Sequence, residues 1–473
     1  MSRESALAKN TAILAIGVFL PKVASIIILP ILTGYLTMEE YGTYDLITVL
    51  VSMLLPAVTL QIQTAAFRYL IDVRDDVEQG TTIISSIYAF LIPSSIAALL
   101  VSLYILGGMS WGLRAAICSY FFIDIIETAS LQCVRGLGDN TTYTISSIIA
   151  SAGQLMGVVG LVLLCGLGLE GAVWALFIAN FAALLYIVFV NHIFRYIKVD
   201  AISIDILKEL VNYSWPMVPN TMSMWIMRAS NRFVITLMMG IEANAVFAVA
   251  YKIPQLLLLA QNAFSMAWQE NASISANDED ANQYYNKMYS LIFRLTAGIM
   301  ALILAINPIL FHILVKGTYD DAYVQIPILL MGMLFFCLSS YLGGIYIARK
   351  NTLSVGITTL VASVINVLID IILTPYLGLY AASLALLLSY VFLVYYRLYG
   401  LNRYFQIRIP SKLFGSVMIV LLLQCWLCSC RMMTTNILSG VLGISLFIML
   451  NESFIKRLTM SLKKSFQPNK KKG

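Results

Sequence analysis

The chain has 473 residues, of which 60% are hydrophobic and only 11% charged, with a mean hydropathy of +0.85. A soluble protein carries about 25% charged residues and needs a polar shell, so a soluble domain of this size is excluded. The formal net charge of +6 does not mark a nucleic-acid binder either. The basic tail (Lys463, Lys464, Lys470, Lys471, Lys472) is better suited to an anionic lipid surface.

Residues 1–10 are polar and lead into a long apolar segment without a small-residue cleavage site, so the first span is expected to be retained. A bilayer core of about 30 Å needs about 20 apolar residues per helix, because backbone polar groups in lipid must be satisfied within the segment. About fourteen such runs follow one another, centred on 11–33, 42–66, 82–106, 112–134, 143–167, 171–193, 214–238, 244–268, 288–314, 324–347, 352–375, 379–400, 411–430 and 435–455. The expected fold is therefore an all-α integral membrane protein. Residues 1–200 form the first six helices and 201–405 the next six, with a short amphipathic lead-in at 201–213. Residues 406–457 form two extra helices and 458–473 the basic tail. No connecting loop is long enough to fold separately.

Lys and Arg gather on the cytoplasmic side of membrane proteins. With the N-terminus inside, 22 of the 30 cations fall in inside segments, Arg397 among them, and only Arg114, Lys316 and Arg431 fall outside. Both ends are thus expected in the cytoplasm. The other five, Lys22, Arg228, Arg232, Lys252 and Arg294, lie within the spans.

Thr142–Tyr186 and Thr352–Tyr396 run in parallel at an offset of 210 residues. Each copy has a polar turn (Asp139-Asn140-Thr141 or Lys350-Asn351) and an apolar span. A Gly-Leu hinge follows (Gly168-Leu169 or Gly378-Leu379), and then a second span. Six helices separate the copies, so they share one orientation: a parallel repeat, as in transporters that rock two halves about a central site.

The stretch Asn10–Tyr44 combines an Asn, a mid-helix Pro21-Lys22, Pro30 and Glu40-Tyr41-Gly42-Thr43-Tyr44. The second half opens with Tyr213-Ser214-Trp215-Pro216-Met217-Val218-Pro219-Asn220, followed by Asn231-Arg232 and Ala250-Tyr251-Lys252-Ile253-Pro254. In this order, over spans 1 to 12, these residues resemble the polysaccharide flippases of the multidrug/oligosaccharidyl-lipid/polysaccharide exporter superfamily. Asn231 departs from the Asp that many relatives carry. The resemblance implies two pseudo-symmetric six-helix lobes around a central cavity. It implies a multi-pass protein, expected as a monomer, in the bacterial cytoplasmic membrane. The cargo would be an undecaprenyl-pyrophosphate-linked oligosaccharide, with a polysaccharide polymerase and glycosyltransferases as partners and no nucleic acid.

A charge near mid-bilayer costs at least about 2.5–3.5 kcal/mol and is a functional candidate by default. Lys22 lies mid-span directly after Pro21, and Arg228 and Arg232 are i,i+4 on one face of span 7. Lys252 precedes Pro254 on span 8. These four are candidate ligands for an anionic headgroup, since guanidinium forks match phosphate oxygens; snorkelling or pairing with acids is the structural alternative. Asp124 and Glu127, i,i+3 on span 4, are candidates for coupling to Na⁺ or H⁺, or for a structural ion pair with Arg135 or a cavity cation. Asp45 and Asp370 are expected at the interface. The Cys425, Cys428, Cys430 cluster reads as apolar packing rather than a metal site, and no cofactor is expected. An integral membrane glycosyltransferase, polymerase or acyltransferase would need convergent acids or His, usually in a sizeable loop. His192 and His312 are scattered, and no Walker sequence is present. A lipid II or teichoic-type flippase and a multidrug exporter of the same fold remain open.

Overall fold

The computed structural model describes residues 3–275, 278–349, 351–408 and 410–466. The tail beyond 466, and the side chains of 3–16 and 453–466, lie outside the described residues. Among the described residues the regular elements are helices, and eleven are long and apolar enough to cross a membrane. The expected runs 1, 7 and 8 are not among the eleven. The first is α1 (Arg3–Tyr35), whose described apolar stretch is shorter, Phe19–Tyr35. Run 7 is α9 (Met217–Met239), in which Asn220, Ser223, Arg228, Ser230, Asn231 and Arg232 dilute the apolar residues. Run 8 is cut at Pro254 into α10 (Ile241–Lys252) and α11 (Gln255–Ile274), because proline offers no N–H to continue the ladder. Runs 7 and 8 carry Arg228, Arg232 and Lys252.

The chain separates into two compact units, Met1–Ala248 with Leu314–Thr318, and Val249–Ile313 with Tyr319–Gly473. In the first, α2 (Met38–Thr59) begins with a capping box: Thr37 Oγ1 accepts from Glu40 N at 3.2 Å, and the Glu40 carboxylate accepts from Thr37 N at 2.9 Å. The other Glu40 oxygen accepts from Leu169 N at 3.2 Å, at the start of α7 (Gly168–Asn191). Leu60 and Gln61 sit in the left-handed region and break the expected second run into α2 and α3 (Ile62–Asp72). There follow α4 (Val77–Ile105), α5 (Trp111–Gly136), α6 (Asn140–Gly157) and the short α8 (Ile204–Ser214). Helix α9 sides with this unit because it lies along α2.

Helices α6 and α7 meet through small residues, the usual means of close approach in lipid. A Cβ on Gly157 would stand 3.0 Å from Ala175 Cα, and one on Gly153 would stand 3.2 Å from Ala179 Cα. Ser146 Oγ donates to Ala183 O at 3.2 Å. After Gly157 the helix widens into a π segment over Val158–Leu164.

In the second unit α12 (Ala281–Leu314) and α13 (Asp320–Ala348) are followed by α14 (Thr352–Leu377) and α15 (Leu379–Leu401), then α16 (Ser411–Ser429) and α17 (Met433–Phe466). Helix α13 is the enclosed one, with 78% of its apolar stretch buried against 11% for α4 in the first unit. It receives α11, α15 and α16. Trp268 stacks on Tyr341 at 4.3 Å between ring centres, and Gln424 Nε2 donates to Ala301 O and Ser439 O, tying α12 and α17 to α16.

The two copies of the repeat share local chemistry. Asp139 caps α6 by accepting from Thr142 N, and Asn351 caps α14 by accepting from Ser354 N. Gly168 (φ +52°) and Gly378 (φ +57°) both turn in the left-handed region that glycine tolerates best.

Candidate functional site

Each intramembrane charge can be followed to its place. Lys22 is half-buried on α1, where its carbonyl accepts from Ser25 Oγ at 2.8 Å. Arg228 lies on α9, with its side chain outside the described residues. Arg232 is buried, and its Nε donates to Asp45 Oδ2 on α2 at 2.9 Å; both side chains are under one-tenth exposed. The guanidinium also lies over the Phe247 ring, 5.5 Å from its centre. Asp45, expected at the interface, is enclosed by protein near the start of α2. Its turn of α2 rotates it inward, where Arg232 supplies the countercharge that burial demands. Lys252, half-buried, ends α10 in the second unit, whereas Lys22 and Arg232 belong to the first.

The first unit also gathers polar groups around α5. Asp124 Oδ1 accepts from Asn180 Nδ2 on α7 at 2.8 Å. Glu127 is buried one turn further along the same face. The next turn brings Ser130, whose hydroxyl shares a 2.5 Å hydrogen bond with the Tyr88 hydroxyl of α4. Gln154 Nε2 donates to the Tyr44 hydroxyl at 3.2 Å, linking α6 to α2. Carboxylate and amide oxygens of this kind suit a proton or a small hard cation.

In the second unit two charged residues differ from the sequence expectation. Asp370 is fully buried on α14; Thr374 Oγ1 stands 3.1 Å from its Oδ1, and its Oδ2 has no hydrogen-bond partner among the described residues. Arg397, counted above with the inside segments, is buried on α15 and only 5% exposed. It donates to Ser339 O on α13 at 2.7 Å, to Thr358 Oγ1 and Thr359 Oγ1 at 3.2 and 3.0 Å, and to Val355 O on α14 at 3.4 Å. Among the cysteines, Cys428 is buried beside Asn307 and Tyr323. No cluster of three or more metal-ligating side chains occurs among the described residues.

A fold of this kind, with many long apolar helices, defines a multi-pass integral membrane protein, and solved structures share its architecture. The inward closed conformation of the lipid II flippase MurJ matches with a TM-score of 0.69 at 15% identity, over 94% of this chain and 99% of that one. An inward-facing multidrug resistance MATE family transporter of the MOP superfamily matches with a TM-score of 0.65 at 15% identity, over 81% and 98%. A MATE crystal structure in complex with MaL6 gives 0.62 at 16%, over 84% and 95%. No curated protein matches by sequence. The family model described as polysaccharide biosynthesis protein matches residues 7–269. The chain belongs to the polysaccharide biosynthesis protein family.

Proposed function

We propose that the chain carries polyprenyl-pyrophosphate-linked oligosaccharide repeat units across the bacterial cytoplasmic membrane by alternating access, without converting them chemically. The observation that carries this reading is the placement of Lys22, Arg228, Arg232 and Lys252 within spans 1, 7 and 8 of the sequence. Cations at mid-membrane positions are retained at a cost, and a pyrophosphate with several negative charges is a ligand that offsets it. The family supports a role in polysaccharide assembly. The sugar would occupy the wet interior and the polyprenyl chain would stay in lipid.

Both termini are assigned to the cytoplasm by the 22 to 3 cation bias. Asp124, held by Asn180, and Glu127 are assigned to coupling with Na⁺ or H⁺. A polysaccharide polymerase and glycosyltransferases are the expected partners. A lipid II-type cargo is the second reading, favoured by the near-complete overlap with the lipid II flippase fold; it too carries a pyrophosphate. A multidrug exporter is disfavoured, because cationic drugs would meet like charge at these positions.

The test is surface glycan display in cells that depend on this chain. Lys22→Ala and Arg228→Ala are each expected to abolish display while the protein remains in the membrane. Normal display in both variants would remove the site assignment.

A further inference from the structure

Arg232 was expected to face an anionic headgroup, and the structure pairs it with a carboxylate 187 residues away. Burying two charges costs as much as their attraction returns, so stability alone does not account for the pair. Its location suggests another use. It sits between α2 and the α9–α10 corner, and further ties join the same helix ends. Asn244 Nδ2 donates to Gly42 O at 3.0 Å. Ile241 O comes so close to Gly42 that a Cβ there would collide with it, so this approach requires glycine. Close by in sequence on α1 and α2, Lys316 N donates to Thr33 Oγ1 at 3.0 Å, and Thr318 Oγ1 donates weakly to Met38 Sδ at 3.5 Å.

We infer that Asp45 and Arg232 form an anion-released latch: they hold α2 against the α9–α10 corner until phosphate oxygens replace Asp45 at the guanidinium. The inference rests on the proposed cargo. Neutral ties such as those of Asn244 and Thr33 have no reason to respond to an anion. The ion pair does, because a guanidinium binds carboxylate and phosphate with the same donors. Parting α2 from α9 without an anion would take from the buried Arg232 the carboxylate it is paired with, which is strongly unfavourable. Arrival of a pyrophosphate keeps the charge neutralised while Asp45 lets go. Phe247, stacked on Arg232, keeps the guanidinium on the α9–α10 side when that happens. The device would tie movement of these helix ends to the presence of cargo and hold an empty carrier shut.

The test uses full-length protein in nanodiscs with the seven native cysteines replaced and Thr43→Cys added, read by the rate of labelling with a water-soluble maleimide. Inorganic pyrophosphate is the probe, with chloride at matched ionic strength as the blank. Labelling of the parent is expected to be slow and to rise severalfold with pyrophosphate only. Asp45→Asn is expected to label at least about tenfold faster without any probe, since a buried pair lost on one side forfeits more than that factor. Asp45→Glu keeps the charge and is expected to stay slow. Arg232→Gln is expected to label fast and to ignore pyrophosphate. Parent-like labelling of Asp45→Asn, fast labelling of Asp45→Glu, or a chloride effect equal to that of pyrophosphate would each overturn the latch. So would an unresponsive parent. None of these readouts involves glycan: an intact pyrophosphate response in a protein whose loss leaves glycan display normal would fault the cargo reading and not the latch.

Discussion

Two buried arginines, Arg232 in the first unit and Arg397 in the second, solve the same problem differently. Arg397 meets four neutral oxygens spread over α13 and α14, so its charge is shared among many weak partners. Arg232 donates through its Nε to the carboxylate of Asp45, an opposite charge rather than a set of neutral dipoles. A charge held by many dipoles can be released only by moving two helices at once, which makes Arg397 a fixture. A charge neutralised by a carboxylate can be passed to another anion, which makes Arg232 suited to a switch. The difference is visible in the helices around them as well. Arg397 lies in the unit with the enclosed α13, and Arg232 lies on α9, whose apolar residues are interspersed with polar ones.

The largest effect is expected on the fixture. Arg397→Ala removes a charge-assisted donor set and leaves a cavity, costing about 4 kcal/mol or more. Folded protein is expected to fail to accumulate in the membrane, and a second substitution at Thr358 or Thr359 is not expected to restore it. Next is Arg232→Gln, which strands Asp45 and is expected to cost about 3 kcal/mol. Adding Asp45→Asn is expected to return the unfolding temperature close to the parent while glycan display stays lost. If the double variant is no more stable than the single one, the contrast between switch and fixture fails.

A smaller effect on stability, though not on transport, is expected at Asp124. Asp124→Asn preserves a hydrogen-bonding side chain opposite Asn180 and is expected to leave the unfolding temperature nearly unchanged while transport loses its dependence on an ion gradient. Unchanged gradient dependence in Asp124→Asn and in Glu127→Gln would remove the coupling assignment.

A local effect on stability alone, with transport unaffected, is expected at the cap of α6. Burial acts to raise the Asp139 carboxyl, but hydrogen bonds from the side chain and backbone of Thr142, from Asn191 and from Thr141 outweigh it and bring the group below its ordinary value. A depressed folded-state value means stability that is present above the ordinary carboxylate range and lost as pH falls through the folded value. Asp139→Asn is expected to cost about 1 kcal/mol at neutral pH, and the gap to the parent is expected to narrow as acid protonates the parent's cap. A gap constant with pH would contradict the assignment.

Much of this fold was legible in the sequence. Apolar runs of about 20 residues have few alternatives in lipid. The Gly168-Leu169 and Gly378-Leu379 hinges state their turns because only glycine enters the left-handed region cheaply. The polar turns before Thr142 and Ser354 act as caps in both copies. What the sequence does not state is rotation about each helix axis. Asp45 and Asp370 looked interfacial because their distance from the span ends was readable and the face they occupy was not. Arg397 was counted with the inside segments for the same reason. The partner of Arg232 was hidden by 187 residues of separation, and that of Asp124 by 56. Pro254 did announce a break, although the uninterrupted hydropathy of run 8 masked it.

The central claim is that cations within spans 1, 7 and 8 carry a pyrophosphate-linked glycan. Its most direct measurement is translocation in proteoliposomes of a tagged polyprenyl-pyrophosphate oligosaccharide, followed by accessibility of the sugar to an external glycosidase. The account predicts movement by the parent protein, none by Lys22→Ala or Arg228→Ala, and no transport of a cationic dye by any of them. Equal movement by the parent and both variants, or transport of the dye in place of the glycan, would contradict it.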